Sequence, residues 1–159
     1  MRRQVVAIAL SVLAIGAAVA VGVLGVQLMQ KRGEQDQRER AVQSARQMGV
    51  NLMTLDHATA KRDLDRIVAG STGDLKNKLG TQSKALLDQL AKTGAKSTVS
   101  QVDAALVSMD GDSAEVMVSL NGIVTNAKVK DGAPRAYRYL MDLTRTGDRW
   151  LVSEMEMVP

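Results

Sequence analysis

Between Val5 and Val26 the chain carries no charged side chain and a single hydroxyl, Ser11, among Ala, Val, Leu, Ile and Gly. As a helix these 22 residues reach about 33 Å at ~1.5 Å per residue, enough to cross a hydrocarbon core of about 30 Å. The sequence therefore predicts a transmembrane signal anchor, bounded here as residues 5–29, behind a short tail of residues 1–4. A cleavable leader is the alternative. Arg2 and Arg3 give a basic start, and Ala18-Val19-Ala20 fits the small-x-small cleavage pattern. The apolar run continues past that site through Val21, Val23, Leu24 and Val26 to Lys31-Arg32. A leader's apolar region ends after about 7–15 residues, so the retained anchor is the better fit.

The charges leave the topology open. Arg2 and Arg3 precede the span, while Lys31, Arg32, Arg38, Arg40 and Arg46 follow it, which would keep the larger part in the cytoplasm if nearby basic residues decided. Long domains translocate largely regardless of charge. The absence of cysteine is compatible with any redox compartment. Within the span Ala14, Ala18 and Gly22 recur every four residues, with Gly16 and Ala20 repeating the spacing beside them. Small residues at that interval form a candidate helix-packing interface, because they let a second helix approach closely.

The remainder is long enough for one modest core and too short for two folded domains. Of the chain's 21 basic residues all but Arg2 and Arg3 lie after the span, beside all 17 acidic ones. The excess is small and mixed. With no Phe, one Trp and two Tyr, there is neither a basic stripe nor a set of aromatic platforms for nucleic acid.

Lys31 to Arg40 is almost wholly polar, which suits a juxtamembrane helix or stalk, bounded here as residues 30–44. Apolar residues then recur at Ala41, Ala45, Met48, Leu52 and Leu55, the interval of an amphipathic helix. Asp56 is a candidate cap for a second, short helix with Leu64, Ile67 and Val68 on one face and Gly70 as its stop. Ser71-Thr72-Gly73-Asp74 matches a capping box before a third helix carrying Leu75, Leu79, Leu86 and Leu90 on one face. Gly80 stands where that helix could break in two, and Gly94 ends it.

From Thr98 the period becomes two. Val102, Ala104, Leu106 and Ser108 alternate with Asp103, Ala105, Val107 and Met109, and Asp110-Gly111-Asp112 is a hairpin signal. Ala114, Val116, Val118 and Leu120 share the inward face of a second strand. A third, Arg135 to Thr146, sets Tyr137, Tyr139, Met141 and Leu143 on one side; Gly147-Asp148 turns it into a fourth, Arg149 to Met157. Helices followed by a meander give an α+β domain over residues 45–159, with helices on one face of a curled four-stranded antiparallel sheet.

Three stretches resemble a known family: PRAYRYLMDLTRTGDRWLVSEMEMVP at Pro134 to Pro159, DLDRIVAGSTGDLKNKL at Asp63 to Leu79, and ARQMGVNLMTLD at Ala45 to Asp56. Together with the single apolar span they are similar to the Mce-associated membrane proteins of actinobacteria. The most specific signature residues are Pro134, Arg135, Ala136, Tyr137, Gly147, Asp148, Trp150, Val158 and Pro159. The resemblance implies a single-pass protein of the plasma membrane with its C-terminal domain extracytoplasmic, folded as a cystatin-like cone like that of type IV secretion bridging proteins. It also implies an accessory role beside Mce systems, multi-subunit machines that move lipids through the envelope. This chain departs from the pattern at His57, Leu75, Leu79 and Met157, where relatives often carry Phe or Tyr.

No chemistry-bearing constellation emerges. Gly111-Asp112-Ser113 resembles the start of a lipase motif, but a nucleophile needs a base, and His57 is the one histidine. The three residues are fully explained as a turn. Asp63/Asp65, Asp110/Asp112 and Glu154/Glu156 lack the further oxygen ligands of a calcium loop, and zinc has too few His and no Cys. The expectation is therefore no catalytic residue, no metal site and no cofactor. Met109, Met117, Met141, Met155 and Met157 lie on the strands, as core filling or as an adaptable apolar surface for lipid or a partner.

The expected function is a non-catalytic accessory subunit of an Mce-type lipid-import system, binding the transporter permease or Mce proteins and no nucleic acid. A lipid-binding carrier and a type IV secretion-like bridging component are the alternatives.

Overall fold

The computed structural model describes residues 32–159. The predicted span, with Ala14, Gly16, Ala18, Ala20 and Gly22, lies outside them. The chain divides into two units, residues 1–37 and Arg38–Pro159. Of the first, the described residues are helical. Among the described residues no helix is long and apolar enough to cross a membrane.

In the second unit, helix α1 (residues 32–53, of which 38 onward belong here) gives way to α2 (Ala60–Ala69), α3 (Gly73–Thr93) and strands β1 (Lys96–Asp110), β2 (Ser113–Thr125), β3 (Ala133–Thr146) and β4 (Arg149–Met157). The strands form one antiparallel sheet in sequence order. Three helices on a curled four-stranded meander make the expected α+β, cystatin-like cone.

The sequence periods explain the core. Ala41, Ala45 and Met48 of α1 are fully buried with Ile67 of α2 and Leu75 of α3, against Val116, Val118 and Leu120 of β2, Met141 and Leu143 of β3, and Trp150 and Val152 of β4. Gly49 lets α1 lie close to the sheet, since a Cβ there would stand 3.0 Å from Leu120 Cδ2 and from Val118 Cγ1. Helix α3 packs on β4, and α2 on α3.

Three local expectations change in detail. Thr59 holds the N-cap position of the second helix without a side-chain capping bond, and Asp56 instead accepts from the Ala58 N–H at 2.9 Å, closing a turn. Ser71 does not cap α3, whose N-cap is Thr72, because the buried Ser71 hydroxyl donates to the Ile67 carbonyl at 2.7 Å. Gly80 lies inside an unbroken α3, and Gly94 ends the helix at φ +59°.

The sheet departs from strict alternation at three places. Ser100, Val107 and Ser153 each lack a partner across the register, so each is an extra residue that turns the following side chains to the other face. After Val107 it is Met109, opposite buried Ala114, that packs on the core, and Ser108 turns outward. This reverses the expected placement of both. After Ser153, Met155 pairs with buried Met141 while Glu154 and Glu156 are exposed.

Both edges of the sheet are latched by connections between helices. On β4 the Thr72 N–H donates to Val152 O at 2.8 Å, and Val152 N–H to Gly70 O at 3.0 Å. On β1 the Ser97 N–H donates to Leu55 O at 2.7 Å, and the His57 N–H to Ala95 O at 2.9 Å. Pairing and bulges together blunt edges that would otherwise template further strands.

Candidate functional site

The signature residues turn out to be architectural. Pro134 to Tyr137 open β3 and pair with Ile123 to Leu120. Gly147, at φ +62°, and Asp148 make the β3–β4 turn, which needs a residue free of Cβ clash in the left-handed region. Trp150 is buried in the core. The Val158 N–H donates to Arg138 O at 2.9 Å and the Arg138 guanidinium donates to Pro159 O at 2.8 Å, stitching the last residues to β3.

The weak chemical candidates fall apart in the same way. Asp112 sits in the β1–β2 turn and is gripped by Arg145, whose Nε lies 2.6 Å from Oδ1. His57 is exposed, with Nδ1 at 3.4 Å from Asp56 and far in the chain's architecture from Ser113, which begins β2. Among the described residues no group of three or more His, Cys, Asp or Glu could hold a metal ion.

Asp63 anchors a polar knot at the base of α2. Its carboxylate accepts from the Thr59 hydroxyl at 2.7 Å, the Asp56 N–H at 3.2 Å and Arg66 Nη2 at 2.5 Å. Burial pushes its pKa up, but these bonds and the charges of Arg66 and Arg62 outweigh it and hold the group below its ordinary value. Asp56 is likewise held low, first by the Ala58 N–H and then by Lys96, whose ammonium lies 3.2 Å away. The knot ties the α1–α2 connection to the start of β1.

Directly beside it opens an apolar groove of about 380 Å³. Leu52 and Met53 at the end of α1, Leu55 just beyond it, Leu90 of α3, Leu120 and Val124 of β2, and Met157 of β4 form its walls. Tyr137 and Tyr139 stack on one wall with ring centroids 6.2 Å apart, and Lys96 and Ser97 stand among the lining residues. Burial, and then the neighbouring Tyr137, push the Tyr139 phenol above its ordinary pKa, so it stays a protonated donor. The volume lies near the low end of small-molecule sites, about 300–1,000 Å³. Such a lining can desolvate an apolar body and offer it two phenol hydroxyls.

Sequence reasoning did not assemble this groove. It placed Tyr137 and Tyr139 on one face and noted Met157, but the lining comes from six elements that meet only in three dimensions. The available signal was apolar residues continuing beyond the buried core at one end of the elements: Leu55, Val124, Tyr137 and Met157.

Solved structures share this architecture. An IcmL-like type IV secretion system protein from Legionella pneumophila superposes with a TM-score of 0.58 at 11% identity, covering 77% of this chain and 92% of that one. A periplasmic fragment of TraM gives 0.55 at 9% identity over 75% of this chain and 95% of that one. At these identities the likeness is one of fold. In sequence the chain is 30% identical to the "Uncharacterized protein Rv1363c" of Mycobacterium tuberculosis (strain ATCC 25618 / H37Rv), over 94% of this chain and 60% of that protein's length. The family described as "Uncharacterized protein Rv1363c/MT1408-like" matches residues 3–159. The chain belongs to the Rv1363c/MT1408-like family.

Proposed function

We propose that this chain is a non-catalytic accessory subunit of an Mce-type lipid-import assembly in the cell envelope. The predicted helix 5–29 holds it in the plasma membrane, and Arg38–Pro159 lies on the extracytoplasmic side. The observation that carries the reading is the apolar groove at one end of the cone, whose lining suits contact and offers little to bond-making chemistry. The resemblance of Pro134–Pro159 to Mce-associated proteins supports it, and a fold shared with a periplasmic fragment of TraM supports the extracytoplasmic placement of the domain. The face built from Ala14, Ala18 and Gly22 would pack on permease helices, and the domain would touch Mce proteins.

A second reading, a lipid carrier, is favoured by the same groove. A mild-detergent pull-down of the tagged full chain decides the first. Recovery of Mce permease and Mce proteins is the expected result, weakened by Gly22→Leu. Recovery of secretion components, or of no membrane companion, would overturn it.

A further inference from the structure

Lysines stand in the segments at the groove's end of the domain. Lys92 lies in the last turn of α3, Lys96 starts β1 and lines the groove, and Lys128 and Lys130 are exposed in the loop joining β2 to β3. That loop is tied to the same end of the cone, since the Ala127 N–H donates to Thr93 O at 3.0 Å and Lys96 pairs with Thr125. The acids at this end are Asp56, bound to Lys96, Asp63, bound to Arg66, Asp88, one helical turn before Lys92, and Asp131; against them stand Lys92, Lys96, Lys128, Lys130 and the arginines of the knot, a small positive excess. Met157, 59% exposed, extends the apolar lining to the lip. Tyr137 and Tyr139, both partly buried, stack along the groove and add two phenol groups to its lining.

An apolar trough lined by two phenols, with Lys96 in its wall and further lysines in the adjoining segments, is complementary to one kind of molecule. The geometry points to a ligand site for a single-chain anionic amphiphile, an acyl chain lying along Leu52, Leu55, Leu90 and Val124 with its acidic head toward Lys96 and the loop lysine Lys128. This rests on the lipid-handling reading above and names the ligand class of its groove. An exposed cation contributes mainly to capture and orientation, whereas the apolar contact supplies most of the affinity.

Photolabelling tests it on the full chain in phosphatidylcholine nanodiscs, with palmitate carrying a mid-chain diazirine as the probe. Adducts are expected on the peptides containing Leu52 to Leu55 and Tyr137 to Tyr139, and unlabelled palmitate should displace them. Val124→Arg should cut this labelling at least fivefold, and the pair Lys96→Gln and Lys128→Gln about threefold. Val107→Arg, on a bulge outside the groove, should leave it unchanged. Lys96 and Lys128 are exposed, so the lysine pair keeps the test decisive should Val124→Arg fail to fold. Labelling confined to residues 5–26, or insensitive to the lysine pair, would overturn the site. Retention of Mce companions by variants that have lost labelling separates failure of the groove from failure of the accessory role.

Discussion

Asp63 is the one charged side chain buried among the described residues, at 2% exposure, and it is met by the Thr59 hydroxyl, a backbone N–H and Arg66. Hydrogen bonds to a buried carboxylate contribute about 1.5–3 kcal/mol each in mutational series. Arg66 and Arg62 reach solvent and are not stranded by its loss, so Asp63→Ala should cost about 2–3 kcal/mol in urea unfolding at pH 7. The sign of the pH dependence follows from a folded-state pKa below the unfolded value. The stabilisation is complete above about pH 4 and is lost as pH falls through the folded pKa, so the gap between wild type and variant should close in acid. An equal gap at pH 7 and pH 2 would refute the ionic account. Gly122 offers a steric counterpart. A Cβ there would run into the Thr98 carbonyl oxygen, which is backbone and cannot move aside, and into Met53. At Gly49 the neighbours are ends of flexible Leu120 and Val118 side chains. Gly122→Ala should therefore lose about 2–3 kcal/mol and Gly49→Ala about 1 kcal/mol or less, in the range of overpacked cores. Thermal melts of the two variants would rank them.

Among the elements, α3 illustrates how a local signal yields to length and packing. Gly80 read as a break, yet the helix runs through it because Leu75 and Leu90 are buried at its two ends and hold the turns between them in register. A Cβ at Gly80 would meet nothing within 4 Å, so Gly80→Ala should stabilise the protein by about 0.5–1 kcal/mol, the ordinary difference between Gly and Ala in an exposed helix interior. A destabilised variant on calorimetry would mean the glycine serves close packing with something else. The element order and the hairpins were legible because Gly70, Gly94, Asp110-Gly111-Asp112 and Gly147-Asp148 are backbone chemistry written in single residues. The capping box was not, since Ser71 found a nearer acceptor in Ile67, and tertiary burial decided between two bonds that the sequence allows equally. Nor were the bulges at Ser100, Val107 and Ser153. Alternation is read on the assumption that each residue has one partner, and an unpaired residue leaves no mark in a single strand's pattern. The consequence was local: Ser108 and Met109 exchanged faces, while the strand and its neighbours kept their places.

For the molecule as a whole, the groove was the least legible feature because its walls are contributed by residues from Leu52 to Met157, and no spacing along the chain brings them together. The core, by contrast, is drawn from Ala41 to Val152, wholly inside the unit Arg38–Pro159. Both sheet edges are latched by connections inside the same unit, through Leu55, His57, Gly70 and Thr72. A unit that closes its own core and covers its own edges should not need the preceding residues to fold. The fragment Arg38–Pro159 is accordingly expected to unfold in urea as a single transition with coincident fluorescence and circular dichroism, and with a stability of about 5–10 kcal/mol, as for ordinary domains. If the proposed Ala14/Ala18/Gly22 packing face holds the proposed envelope companions, the same fragment should recover far less of them in the pull-down than the full chain does. The two readouts answer separate questions. A broad or probe-dependent transition would show that the domain leans on residues 1–37. A folded fragment that recovers companions as fully as the whole chain would move the proposed interface from the apolar segment onto the domain, where the groove and Lys96 are the surface to mutate next.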